Sequence, residues 1–279
     1  MKRLFLSAAA LVVLFAACSK DEDNKKPDAA TSQPHGKYFL HQISPFDSLE
    51  VTYDSAYNMK LVKVWDENGK HLSTSQLVYE NGKLTKMIDD DNNGVAKVVQ
   101  SMEYNSAGKL AKAKFYLSPG NNNMSSYDSL VYDADGHLSE LHEFAPDLNG
   151  FRLDLKLTFI WDSKGNIIRT VGTNIAAAQL TDTSVTEFTY DDKVNYGSRQ
   201  PEFFSMRPYD PTFGLSANNV TKKVGGFKGD LNNSTVNFYE YTYDEEGYPL
   251  SRKDSTQVIR EGQVVSTYHD SFRYRYLVK

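Results

Sequence analysis

The chain has 279 residues, 40% hydrophobic and 24% charged, with a formal net charge of −5 at pH 7. That balance is globular and mildly acidic, and it excludes a protein built to grip nucleic acid or an anionic lipid surface through a basic run. A single cysteine excludes an internal disulfide, so the fold must be held by its core.

The first element in chain order is a leader. Lys2 and Arg3 precede a short apolar run, Leu4 to Ala17, that ends in "LFAAC" at Cys18. The run is too short to span a bilayer and has the layout of a cleaved secretory signal, so residues 1–17 are expected to be removed. The small residues before Cys18 resemble a bacterial lipobox. The resemblance implies that Cys18 is lipidated and that outer-membrane lipid is its partner. Loss of Lys2 and Arg3 takes the net charge from −5 to −7. The next residues, through "NKKPDAATSQPHGK", have no apolar period, and residues 18–37 read as a disordered tether.

A repeat begins after the tether. "YNSAGKL" (Tyr104–Leu110), "YDADGHL" (Tyr132–Leu138) and "WDSKGNI" (Trp161–Ile167) spell one pattern. Its leading aromatics are Tyr53, Tyr79, Tyr104, Tyr132, Trp161, Tyr190 and Tyr243, at steps of 26, 25, 28, 29, 29 and 53. The last step is about double, as if one copy were missing near Leu215. A constant step of this size marks a repeat architecture. In each copy Asp or Asn accepts hydrogen bonds from later backbone N–H groups and Gly permits positive φ, so the pattern predicts a strand end and a tight turn. A second class of turn falls half a period away, for example "DENGK" (Asp66–Lys70) and "PDLNG" (Pro146–Gly150).

Between turns the residues alternate. "LDLKLTFIW" is expected to place Leu153, Leu155, Leu157, Phe159 and Trp161 on one face; "SFRYRYLV" sets Phe272, Tyr274, Tyr276 and Val278 against Arg273 and Arg275. Period two predicts half-buried antiparallel strands. The expected fold is therefore all-β: an antiparallel meander of repeated hairpins in one domain, residues 38–279, curled into a soluble barrel or half-barrel, since closure removes exposed edges. Residues 195–220 break the alternation and read as an irregular lid or ligand loop. Phe203, Phe204, Tyr209 and Phe213 are its candidate ligand-binding residues.

The "YDxxGxL" corners resemble YD or RHS-type repeats. Together with the lipobox, the acidic block "SKDED" (Ser19–Asp23) and the closing "YEYTYDEEGYPLSRKDS", they resemble a family of uncharacterised Bacteroidetes lipoproteins with a porin-like β fold. The copies at Tyr53 and Tyr190 depart from the pattern, with Tyr57 and Val194 where Gly is expected. Cys-Ser-Lys-Asp-Glu-Asp is similar to the export signal of Bacteroidetes surface lipoproteins. The resemblance implies an outer-membrane protein facing the cell exterior and transfers no catalytic residue.

No P-loop, Gly-x-Ser-x-Gly or His-Glu-x-x-His motif occurs, and the six histidines are scattered. Asp89, Asp91 and Asn93 begin a D-x-D-x-N-G calcium loop, but position twelve is Gln100 and the competing reading is an acidic hairpin tip. Tyr239, Tyr241 and Tyr243 share one strand face, as barrel core or as a platform for sugar. No cofactor is expected. The leading expectation is a non-enzymatic surface protein that binds glycan or protein; a polysaccharide-processing hydrolase and a structural envelope component are the alternatives.

Overall fold

The computed structural model describes residues 36–90, 96–116, 123–176, 179–208 and 210–278. The leader, Cys18 and the tether up to residue 35 lie outside the described residues, as do Asp91, Asn93 and Tyr209. The first eight strands are β1 (Lys37–Ile43), β2 (Asp47–Tyr53), β3 (Met59–Asp66), β4 (His71–Glu80), β5 (Lys83–Asp90), β6 (Ala96–Tyr104), β7 (Leu110–Tyr116) and β8 (Met124–Tyr132). Then come β9 (Leu138–Asp147), β10 (Gly150–Trp161), β11 (Ile167–Ala176), β12 (Gln179–Val194), β13 (Asn218–Phe227), β14 (Ser234–Tyr243), β15 (Pro249–Arg260) and β16 (Gln263–Val278). Each strand pairs with its sequence neighbours, and β1 pairs with β16 from Lys37↔Val278 to Ile43↔Arg273, closing the barrel.

The repeated motif builds one rim. At Asp54, Asn105, Asp133, Asp162 and Asp244 the backbone N–H donates to the carbonyl four residues on, at 2.9–3.0 Å. The side-chain Oδ1 of each accepts the amide of that same residue at 2.8–2.9 Å. Gly108, Gly136, Gly165 and Gly247 sit at φ of 81–84°. Tyr57 takes φ 65° in place of Gly, with its ring stacked on Tyr38 at 4.7 Å.

Each corner also carries a bulge that spacing does not reveal. Glu103 pairs with Lys112 but Tyr104 with Leu110, so Ala111 is the extra residue. Lys60, Thr85, Ser139, Ile168 and Leu250 are extra in the same way. The bulge turns the aromatic ring inward across the strand end, where it reaches the preceding copy. Tyr79 donates to the Met59 carbonyl at 2.9 Å, Tyr104 to Leu84 at 2.8 Å, Tyr132 to Leu110 at 2.8 Å and Tyr190 to Ile167 at 2.5 Å. Trp161 Nε1 donates to Leu138 at 2.8 Å, and Tyr53 donates to Phe39 across the closing seam. Each acceptor except Phe39 is the first residue of the strand after the preceding corner or, for Leu84, the second. The motif thus fixes both a turn and a hydrogen bond to the previous repeat.

The apolar face points inward. Val51, Val62, Leu77, Leu84, Met102, Leu130, Leu141, Phe159 and Ile167 form the buried core. The outward positions carry charges on most strands, among them Glu50, Lys63, Lys86, Lys112, Glu140, Lys156, Glu187, Lys222, Lys253 and Arg273. A lipid-facing band would lose about 2–4 kcal/mol for each Lys or Arg near its midplane, so this outer wall is built for water. In β10 the alternation is broken. Leu153 pairs with outward Phe144 and Leu155 with inward Glu143, so a bulge at Asp154 puts Leu153 on the outer face, contrary to its expected place.

Candidate functional site

The segment between β12 and β13 is folded. It holds a 3₁₀ turn (Gly197–Arg199) and two short helices, α1 (Pro201–Met206) and α2 (Pro211–Leu215), each with Pro at its start, where the missing N–H costs nothing. Residues 218–220 belong to β13, so the irregular stretch is shorter than the sequence suggests. Glycine permits the tight packing: a Cβ on Gly214 would lie 2.7 Å from the Phe204 Cα.

These elements form a plug at the corner rim. Gln200 Oε1 accepts the Phe39 amide at 3.0 Å while its Nε2 donates to the Tyr53 hydroxyl at 2.7 Å. The β1–β2 ladder runs only from Ile43↔Ser48 to His41↔Glu50, so Gln200 supplies the pairing that β2 does not give Phe39. Tyr79 donates to Glu202 at 3.1 Å, Gln100 Nε2 to the Ser205 carbonyl at 3.0 Å, and the Ile167 amide to Ser216 Oγ at 3.2 Å. Tyr196 stacks on Phe39 at 5.1 Å and meets Tyr274 and Tyr276. Phe203 and Phe204 are buried within the plug, Phe203 against Phe39 and Phe213. Of the three described candidate phenylalanines only Phe213 also faces open space.

That space is a cavity of about 220 Å³ inside the barrel, between the plug and strands β12–β16. Its wall is mixed: Phe188, Phe213, Tyr239, Tyr241 and Tyr274 alternate with Asn195, Asp210, Asn219, Lys223, Arg252 and Asp254. Arg252 holds Asp254 through two bonds, Nε–Oδ1 at 2.6 Å and Nη2–Oδ2 at 2.8 Å. Its guanidinium lies 4.3 Å from the Phe272 ring centroid and 5.2 Å from that of Tyr239. Burial raises the Asp254 carboxyl and Arg252 opposes the rise. Burial pushes the Tyr274 phenol up to about 12, so it stays protonated at neutral pH. Of the tyrosine ladder, Tyr239 and Tyr241 line the cavity, while Tyr243 turns to Asp191 at the rim. Inward-facing Lys223 and Tyr268 are exposed, so the lumen opens to water at the rim opposite the plug.

The opposite wall is packed. There Asp128 on β8 pairs directly with Glu143 on β9, and Asp128 is 3% exposed. Burial first, then the Glu143 charge, push Asp128 up to about 7. Asp89 pairs with Ser75 and Lys97 within the strands, its Oδ1 buried without a partner. Among the described residues no group of three or more His, Cys, Asp or Glu could hold a metal ion. Sequence reasoning missed Arg252 and Asp254, because their strand, "LSRKDSTQVI", has no apolar face to mark which side is inside.

No protein family matches the sequence, and no curated protein does. Solved structures do. A porin-like protein from Bacteroides uniformis superposes with a TM-score of 0.58 at 13% identity, over 90% of this chain and 100% of that one. A porin-like protein from Bacteroides vulgatus gives 0.49 at 13% identity, over 86% and 99%. TcdB2-TccC3 gives 0.35, over 83% of this chain and 10% of that one. The first of these likenesses places the chain, by fold alone, among porin-like β-barrels.

Proposed function

We propose that this protein is a lipid-anchored outer-membrane barrel, facing the cell exterior, that binds an extracellular ligand, glycan or protein, without catalysing a reaction. The observation that carries the reading is the cavity above the plug, where aromatic rings and polar groups from different strands converge, as in small-molecule sites. The plug blocks the lumen, which speaks against a conduit. β1 enters the barrel at the plugged rim, leaving the cavity mouth at the other end. The anchor rests on Cys18 and its lipobox resemblance.

A glycan array and a pull-down with the full chain in detergent test the binding reading; a negative on both leaves a structural envelope component. Cys18→Ala should release the protein from the membrane fraction, and protease shaving of intact cells should digest it. Survival on intact cells with digestion after lysis would refute the outward orientation. The hydrolase alternative needs two carboxyls flanking a substrate. Asp128 and Glu143 are opposed, but Asp128 is closed off from solvent, so the pair has no substrate path.

A further inference from the structure

We infer that the lumen cavity takes one neutral sugar ring, a single pyranose or the end residue of a glycan; this rests on reading the cavity as the ligand site. Four observations converge.

The first is charge. The cavity wall carries Arg252 and Lys223 against Asp210 and Asp254, two of each sign. An ionic ligand would leave one charge uncompensated in a half-buried site, whereas a neutral polyol adds none.

The second is unmet hydrogen bonding. Tyr274 is 5% exposed and lines the cavity, yet its hydroxyl has no partner among the described residues; half-buried Tyr239 lines the same wall. This contrasts with the corner tyrosines, whose hydroxyls reach carbonyls. Buried polar groups ordinarily find partners, so a donor aimed at open space marks a place for a ligand oxygen.

The third is shape. A space of about 220 Å³ is below the range of drug-sized pockets and equals the volume of about seven waters. It has room for one ring.

The fourth is the aromatic wall. Phe188, Phe213 and Tyr241 offer apolar surface to the C–H faces of a pyranose, while the polar groups meet its hydroxyls.

The test is titration calorimetry of the full chain in detergent with glucose, galactose, mannose and N-acetylglucosamine, beside glucuronate and glucosamine as charged counterparts. Tyr274→Phe removes one oxygen and keeps the ring; Val220→Phe fills part of the cavity. The expected result is binding of at least one neutral sugar, weakened about fivefold by Tyr274→Phe, as for one neutral hydrogen bond, and abolished by Val220→Phe. A charged sugar that binds more tightly and responds to both variants would overturn the ligand class while the site stands. Sugar binding indifferent to both variants, each shown folded by its melting curve, would overturn the site itself. Absence of binding by all six sugars would overturn the inference, while the array and pull-down still decide whether the protein binds anything.

Discussion

Asp128→Asn offers the sharpest test of how the barrel interior is arranged. Asp128 is 3% exposed, directly opposite Glu143 on one side and Ala113 on the other. Its carboxyl rises from the ordinary 3.8 to about 7, chiefly through burial. A rise of about 3 units corresponds to about 4 kcal/mol of penalty on the ionised folded state. The sign follows from proton binding. Between pH 4 and 7 the folded protein holds a proton that the unfolded chain has released, so stability falls as pH rises and levels off above about 7. Asn has the same shape and no charge, and it removes this dependence. Urea unfolding of both proteins at pH 4, 6 and 8 should show the variant gaining on the parent by up to about 4 kcal/mol across the range. The buried amide adds a constant offset of about 1–3 kcal/mol that does not change with pH. A difference that is flat with pH would refute the claim that Asp128 sits buried against another carboxyl.

Other predictions follow from the plug and the rim. Gln200→Ala leaves the Phe39 amide without its acceptor and should cost about 1–3 kcal/mol, with faster hydrogen exchange at Phe39; unchanged exchange would mean that Gln200 does not close the seam. Gly214→Ala forces a methyl to within 2.7 Å of Phe204 and should destabilise by about 1–3 kcal/mol in thermal melts, with new protease cleavage between 195 and 217. Tyr104→Phe removes the hydrogen bond to Leu84 and should cost about 1 kcal/mol by urea unfolding, and Tyr132→Phe a similar amount if the repeats are equivalent.

How far the fold was legible depends on whether one residue's own chemistry decides the local structure. Asp54, Asn105, Asp133, Asp162 and Asp244 each make their own turn, so the corners could be read directly from the spacing. The same chemistry at Asp66, in "WDENGK", makes the same turn at the opposite rim, with Oδ1 accepting from Asn68 and Lys70. The motif therefore specifies a reversal and not a rim. The bulges at Ala111 or Leu250 are properties of a strand pair, and no single strand encodes them. The helices α1 and α2 have six and five residues, too few for a helical period to show, although Pro201 and Pro211 mark their starts. Arg252 and Asp254 share a face with Thr256 and Val258, a row that reads as solvated until the barrel closes around it.

Plug and cavity trace to the same departure from the repeat. The step from Tyr190 to Tyr243 is 53 residues; the plug occupies the first half of this doubled period, and β13 and β14 the second. With no tight corner after β12, Tyr243 has no aliphatic carbonyl to meet and donates to the Asp191 carboxylate instead. Where the corners are regular, the inner face is mostly apolar and fills itself, as with Leu77, Leu84, Met102, Leu130 and Leu141, with Gln100 and Asp128 buried among them. Beyond the gap the inner face changes to Lys223, Tyr239, Tyr241, Arg252 and Asp254, groups too polar and too large to interlock in that way. The plug covers one side of this sector through Tyr196 and Phe213, and the rest stays open. A repeat protein that only needed to be a closed ladder would gain stability from an aliphatic inner face here as well. Its absence from one contiguous sector, beside the plug, is what the proposed ligand site would require.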